Sequence, residues 1–335
     1  MILGAGTPKN IQDRRRRRAR ATANAVGLIT GYALDAALGD PRRFHPVAGY
    51  GRLAAVLERR TYAPDRAAGA RHAAIAAGVP VVVACAAAIA TRRRPIIRTA
   101  LVTATTWAVL GGTSLRREAQ AMADSLDAGD LREARRRLPN LCGRDPSTLD
   151  ISEIARATVE SVAENTSDAV VAPLVWGAIA GLPGLVGYRA INTLDAMVGH
   201  RSAKYVRFGT ASARADDLAN LIPSRLTAAL TAVTAPLVSG SPGRAAWVWL
   251  RDANRHPSPN SGQCEAAVAG ALGVSLGGRN VYFGRVEDRP VLGDGPRPVA
   301  RDVRRAARLS AAVGAAALAL CAAHALAKPW RRRPT

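Results

Sequence analysis

Between Arg71 and the run Arg92-Arg93-Arg94 lie twenty residues, His72 to Thr91, without one Asp, Glu, Lys or Arg. A helix of that length crosses the ~30 Å hydrocarbon core of a bilayer, and water offers few ways to hide it. A second block of comparable length runs over 307–327. Three further apolar stretches are less complete: 95–113 carries Arg98, 168–187 is broken by Pro173, Pro183 and several glycines, and 226–240 is short enough to be re-entrant or interfacial. Together they read as an all-α, polytopic membrane protein with about four to six apolar segments and amphipathic helices between them. The competing reading is a soluble helical protein with very apolar helices.

Composition supports the membrane reading. Hydrophobic residues make up 48% and aromatics only 4%, while the formal net charge is +22. Charge and apolar residues are segregated, as expected when apolar blocks lie in lipid and basic residues flank them. Arginine supplies nearly all of the positive charge, the lysines being Lys9, Lys204 and Lys328. Such a chain favours anionic lipid, nucleic acid or anionic substrates. The run Arg14 to Arg18 reads either as a membrane-surface anchor or as a tail without a role. The stretch after it, 23–39, carries Asp35 and has no small-residue cleavage pattern, which argues against a signal peptide. Cys85, Cys142, Cys264 and Cys321 are scattered, with neither metal spacing nor a disulfide pattern.

Four polar clusters lie beside the apolar blocks. The first is Gly39-Asp40-Pro41-Arg42-Arg43-Phe44-His45-Pro46, continuing to Gly51-Arg52, a turn-forming sequence that holds an Asp, three Arg and a His. Basic residues at the end of a span are usually snorkelling anchors. The second opens at Asp150, an N-cap with Glu153 in capping-box position. Glu153, Arg156, Glu160 and Glu164 then share one helical face, and Asn165, Thr166, Ser167 and Asp168 continue into the next apolar block. That stripe reads either as a solvated face or as a carboxylate row for a divalent cation or a substrate ammonium. The third holds Arg189, Asn192 and Asp195 on one face of a helix over about 188–198, then Arg214, Asp216, Asp217, Asn220 and Arg225 around a helix over about 211–221. A structural network of Arg214, Asp217 and Arg225 explains the latter equally well. The fourth, Arg251-Asp252-Ala253-Asn254-Arg255-His256-Pro257-Ser258-Pro259-Asn260-Ser261-Gly262, reads as a shaped loop ahead of a helix, suited to a phosphate or carboxylate. No strand-like alternation of any length is evident, and there is no P-loop, no dinucleotide fingerprint and no nucleophile elbow.

Taken in order, Leu38-Gly39-Asp40-Pro41-Arg42 with His45-Pro46, Val159 to Asp168, Asn192 to Gly199, Asp216 to Pro223 and His256 to Gly262 resemble the CobD/CbiB family of cobalamin-biosynthesis membrane proteins. The resemblance covers residues 28–284. The Arg-rich N-terminus and the C-terminal Trp330-Arg331-Arg332-Arg333 are departures from the pattern. The resemblance implies a basic tail over 1–22, a single integral membrane catalytic domain over 23–327 and a second basic tail over 328–335. It implies an acid–amine ligase that joins aminopropanol or aminopropanol phosphate to a propionate of the corrinoid adenosylcobyric acid, with ATP and Mg²⁺, and it leaves no part for nucleic acid. A carboxylate acylates poorly, so ATP would first make an acyl phosphate, which calls for Mg²⁺, for cations on the developing charge and for a group that deprotonates the ammonium.

On this reading Glu160, Glu164 and His256 are catalytic, and Asp168, Asp216 and Asp217 bind metal or amine. Asp40, Arg42, His45, Arg52, Asn165, Asn192, Asp195, Asn220, Arg225, Arg251, Ser258 and Asn260 line the substrate and its phosphate. A corrinoid carrier or transporter without catalysis is the rival, since Pro-broken segments such as 168–187 suit one. The polar clusters lie between spans rather than at mid-span, which favours the enzyme. The expected location is a bacterial inner membrane with the active face cytoplasmic, where ATP is. The positive-inside rule places the N-terminus, Arg92-Arg93-Arg94 and the C-terminus on that side, and 114–167 outside if every stretch crosses. One or more of 23–39, 168–187 and 226–240 is therefore expected not to cross fully.

Overall fold

Alanine, leucine and arginine are strong helix formers, and the chain realises that preference almost throughout. The structure is a computed structural model that describes residues 8–40, 45–200, 202–282 and 285–331. Helices α1 (Pro8–Leu38), α2 (Pro46–Thr61), α3 (Arg66–Ala90) and α4 (Pro95–Val109) come first. They are followed by α5 (Gly112–Asp127), α6 (Leu131–Arg137), α7 (Ile151–Thr166), α8 (Ala172–Ala180) and α9 (Leu182–Leu194). Then come α10 (Thr210–Thr234), α11 (Pro242–Asp252), α12 (Ser261–Leu272), the strands β1 (Leu276–Tyr282) and β2 (Arg285–Leu292), and α13 (Ala300–Arg331). Single π-helical turns, Ser167–Val171 and Asp195–Gly199, extend α7 and α9.

Among the described residues three helical segments are long and apolar enough to cross a membrane: 66–90, 210–238 and 300–327. The first and last are the two complete blocks of the sequence. The middle one joins 226–240 to the helix expected over 211–221, running straight through Pro223. The block at 95–113 yields a helix of only 15 residues. The block at 168–187 is divided at Gly181, whose φ of 67° ends α8 and starts α9. Fewer segments thus reach spanning length than the apolar stretches imply, because composition counts residues that the backbone splits between helices. Ile75, Val79, Val82, Val83 and Ile89 of α3 are exposed, a surface that lipid would cover.

The chain divides into two compact units. Unit 1 comprises residues 1–110, 173–213 and 318–335. Its helices meet through small residues, as in lipid, where close approach replaces the hydrophobic drive. A Cβ on Gly27 would sit 2.6 Å from the Val102 Cβ, and one on Gly31 2.4 Å from the Thr106 Cβ, so α1 and α4 touch backbone to side chain. Arg98 is no obstacle there: its Nε donates to Asn24 Oδ1 at 2.8 Å and its Nη1 to Ala88 O at 3.1 Å. α1 continues without a break through Arg14 to Arg18 and past residue 22.

Unit 2 comprises residues 111–172 and 214–317. Every residue of α12 is buried. Its glycines allow this: Gly262 lies against Ala253 O and Gly270 against the backbone of Arg244 and Ala245. The antiparallel pair β1–β2 corrects the expectation of a chain without strands. Gly277 and Gly278, at φ 78° and 91°, sit where the register shifts, and a bulge of that kind destroys the alternation by which a strand is read.

Candidate active site

α7 starts as its sequence requires. Asp150 Oδ1 accepts from Glu153 N at 2.8 Å while Glu153 Oε2 accepts from Asp150 N at 3.0 Å, a complete capping box. From there the acidic stripe turns inward. Arg156 and Glu160 are buried and Glu164 is half-buried, so the solvated-face reading of this stripe does not hold. Glu160 lies between two guanidiniums: Oε2 accepts from Arg144 Nη2, and Oε1 from Arg156 Nη1 at 3.3 Å. Oε1 also accepts from Gly277 N, on the bulge of β1, at 2.6 Å. Burial pushes this carboxyl up, but Arg144, Arg156 and the Gly277 amide outweigh it and hold it below the usual carboxylate range. Arg156 also donates to Asn280 Oδ1 at 2.9 Å and to Arg279 O at 3.0 Å, which pins the hairpin to α7.

The loop before α12 supplies the second wall. His256 Nδ1 lies 3.1 Å from Ser258 N and 3.3 Å from Ser258 O, which fixes the ring against the loop. Nε2 lies 3.9 Å from Glu265 Oε1 and 3.4 Å from Arg289 Nη1. Burial, with Arg289 adding to it, lowers the His256 pKa, so the ring is neutral. Ser258 Oγ accepts from Asn260 N and Ser261 N, and Ser261 Oγ donates to Glu164 Oε1 at 2.6 Å. Asn260 anchors the loop to α10 by donating to Asp217 O at 2.8 Å and accepting from Ser224 Oγ at 3.0 Å.

Glu265, one turn into α12, is 1% exposed, and its Oε2 has no hydrogen-bond partner among the described residues. Burial and then the charges of Glu160 and Glu164 raise its pKa well above the ordinary carboxylate value. Cys264, beside it, is raised by burial and then by Asp168, Glu164 and Glu265, so these three acids face one region of unit 2. Glu160, Glu164 and Asp168, from one continuous helical run, are thus brought together with His256 from a distant loop. Arg144, Glu265, Arg289 and the hairpin join them and were missed. Only Glu265 had a readable signal, as an acid in a helix otherwise made of Ala, Gly, Val and Leu after its first turn.

Other expected site residues fall in several places. In unit 2, Asn165 Nδ2 donates to Ser161 O at 2.9 Å, and Asp216 Oδ2 accepts from Asn220 Nδ2 at 3.0 Å. Arg225 is exposed and donates to Leu221 O at 3.0 Å. Arg251 is engaged internally: Nε and Nη2 grip Asp252 at 2.8 and 2.6 Å, and Nη1 and Nη2 grip Asp294 at 2.9 Å each. Asp252, fully buried, also accepts from Gly293 N at 2.9 Å, so Arg251 clamps the end of the hairpin to α11. In unit 1, His45 caps α2 by accepting from Val47 N and lies 3.9 Å from Asp40. Gly51, beside the exposed Arg52, packs on the Met197 sulfur, and Asn192 accepts from Arg189 at 3.3 Å, while Asp195 opens the π turn. Arg42 lies outside the described residues. No three His, Cys, Asp or Glu side chains among the described residues gather closely enough to hold a metal.

Spanning-length apolar helices and a largely buried cluster of acids, guanidiniums and an imidazole in unit 2 define a helical membrane protein with a polar interior site. Comparison with known proteins gives its kind. The family model described as "CobD/Cbib protein" matches residues 28–310, and the chain belongs to that family. A "Cobalamin biosynthesis protein CobD" of Mycobacterium tuberculosis is 50% identical over 311 residues, covering 92% of this chain and 97% of the relative. Proteins of the same name from Geobacter metallireducens and Rhodobacter capsulatus are 47% and 43% identical, covering 83% and 84% of this chain and 88% and 91% of theirs. No solved structure matches. The chain has a role in cobalamin biosynthesis.

Proposed function

We propose that the chain is an acid–amine ligase that forms an amide between a propionate carboxylate of the corrinoid (adenosyl)cobyric acid and aminopropanol or aminopropanol phosphate at the expense of ATP, on the cytoplasmic face of a bacterial inner membrane. The observation that carries this reading is the meeting of the buried Glu265 and His256 with the half-buried Glu164 and Asp168 and with Arg144 and Arg289 in unit 2. A reaction between two charged groups, an ammonium and a carboxylate, needs a dry site with paired acids and cations.

The residues divide the work by their surroundings. Glu160 is saturated by Arg144, Arg156 and Gly277 N, so it positions the site rather than meeting substrate. Glu164, held by a single hydroxyl bond from Ser261, is free to accept an ammonium. Glu265 has its pKa raised well above the ordinary carboxylate value and an oxygen with no partner among the described residues, which suits it to take the amine's proton with His256 beside it. Arg289 and Arg144 face carboxylate or phosphate charge. Mg²⁺ needs only one or two protein carboxylates beside the phosphates, and Glu164 with Asp168 would hold it. ATP supplies the phosphoryl group that turns the propionate into an acylating agent. Asp40, His45, Arg52, Asn192 and Asp195 belong to unit 1 and are assigned to binding substrate.

The test is to incubate purified protein with adenosylcobyric acid, ATP, Mg²⁺ and either amine, and to weigh the corrinoid product. A mass gain matching the amide with loss of water supports the reading. An unchanged corrinoid with both amines overturns it.

A further inference from the structure

Outside this site, the end of the apolar segment 210–238 meets the start of α13. A surface cleft of about 380 Å³ opens there, lined by Leu237, Val238, Ser239, Arg301, Arg305 and Arg308. We infer that this cleft binds the phosphate headgroup of an anionic phospholipid.

Four observations carry the inference. Arg305 ties the two apolar segments together at this end: Nε and Nη2 each donate to Val238 O at 3.0 Å, and Nη1 donates to Leu272 O at 2.8 Å. The ends of two spanning-length segments therefore lie at one level, which in a bilayer is the headgroup layer. Arg301 and Arg308, four residues before and three after Arg305 on one helix, are exposed and have no hydrogen-bond or ion-pair partner among the described residues. Arg304 contrasts with them, since Asp124 and Asp127 engage it at 2.7 and 2.5 Å. Finally, Val233 and Leu237, on the segment ending at the cleft, are 71% and 70% exposed. The cleft therefore has unmatched positive charge next to uncovered aliphatic surface. Acyl chains on Val233 and Leu237 with a phosphate between Arg301 and Arg308 satisfy both, whereas a free phosphate satisfies only the charge.

The experiment compares full-length wild-type protein with the Arg301→Gln/Arg308→Gln double variant, a charge-keeping Arg301→Lys/Arg308→Lys variant and Arg304→Gln. Each is titrated in detergent with phosphatidylglycerol, with phosphatidylcholine and with inorganic phosphate, and bound lipid is counted by native mass spectrometry. Phosphatidylglycerol should bind wild type, the Lys variant and Arg304→Gln, and fall roughly twenty-five-fold for the Gln double variant, about fivefold for each arginine. Normal phosphatidylglycerol binding by the Gln double variant would overturn the inference. So would equal binding of phosphatidylcholine by wild type, or displacement of the lipid by millimolar inorganic phosphate, which would mark a soluble-anion site.

Discussion

The Ser261 hydroxyl donates to Glu164 at 2.6 Å across 97 residues of sequence, joining the acidic end of α7 to the first turn of α12. Replacing Ser261 by Ala removes one charge-assisted bond, worth about 1.5–3 kcal/mol, from a carboxylate we assign to the ammonium or Mg²⁺. Amide formation should fall about tenfold in Ser261→Ala and roughly a hundredfold, near 3 kcal/mol, in Glu164→Gln, with membrane yield unchanged. Excess Mg²⁺ should restore part of the loss if Glu164 serves the metal, and excess amine if it serves the ammonium. Undiminished turnover in both variants removes Glu164 from the reaction.

Glu160 should behave differently. Its replacement by Gln leaves Arg144 and Arg156 buried beside one another without their shared carboxylate. Breaking a buried pair in this way costs about 3–5 kcal/mol. Thermal unfolding in detergent should therefore drop markedly for Glu160→Gln and little for Glu164→Gln. Equal stability of the two variants contradicts the positioning role.

The raised pKa of Glu265 has a signed consequence for stability. The folded state holds this proton more tightly than the unfolded chain, whose carboxyl titrates near 4.5. Above that pH the folded state binds more protons, and stability falls as pH rises toward the folded pKa. Glu265→Gln lacks this proton, so its stability relative to wild type should improve as pH rises above 4.5 toward the folded pKa, read as unfolding midpoints. A difference that stays flat above pH 4.5 shows that folding does not raise the Glu265 pKa.

The exposed face of α3 predicts a membrane effect. Val82 is 67% exposed near the middle of the stretch 72–91, which carries no Asp, Glu, Lys or Arg. Arginine at that position costs about 2.5–3.5 kcal/mol of insertion. Val82→Arg should shift protein from the membrane fraction to aggregates or degradation, while Arg92→Ala should not. Soluble, intact Val82→Arg protein would argue that α3 meets water rather than lipid.

Local signals in this sequence were legible, and tertiary ones were not. Asp150 and Glu153 announced the start of α7, and the 3.6-residue period put Arg156, Glu160 and Glu164 on one face. Periodicity cannot tell which way such a face turns, since a stripe of acids and arginines looks the same in water and against hidden guanidiniums. Arg144 and Glu265 reach the stripe from distant segments with no spacing to link them. The helix expected over about 211–221 stops short of Pro223, yet α10 passes through it, because a membrane-length helix held by its neighbours tolerates one missing donor. The glycine bulge that lets Gly277 N reach Glu160 is also what concealed the hairpin.

Unit 2 is interrupted in the chain, 111–172 being separated from 214–317 by residues that belong to unit 1. The order of synthesis therefore matters. At roughly 5–20 residues per second, Ser261 leaves the ribosome about 5–20 s after Glu164, and the hairpin later still. Throughout that interval α7 has emerged with Glu160 and Arg156 but without Gly277, Asn280 or α12 to cover them. The nascent N-terminal half cannot complete its own fold, and a chain truncated before residue 256 should be a substrate for membrane proteases rather than a smaller stable protein.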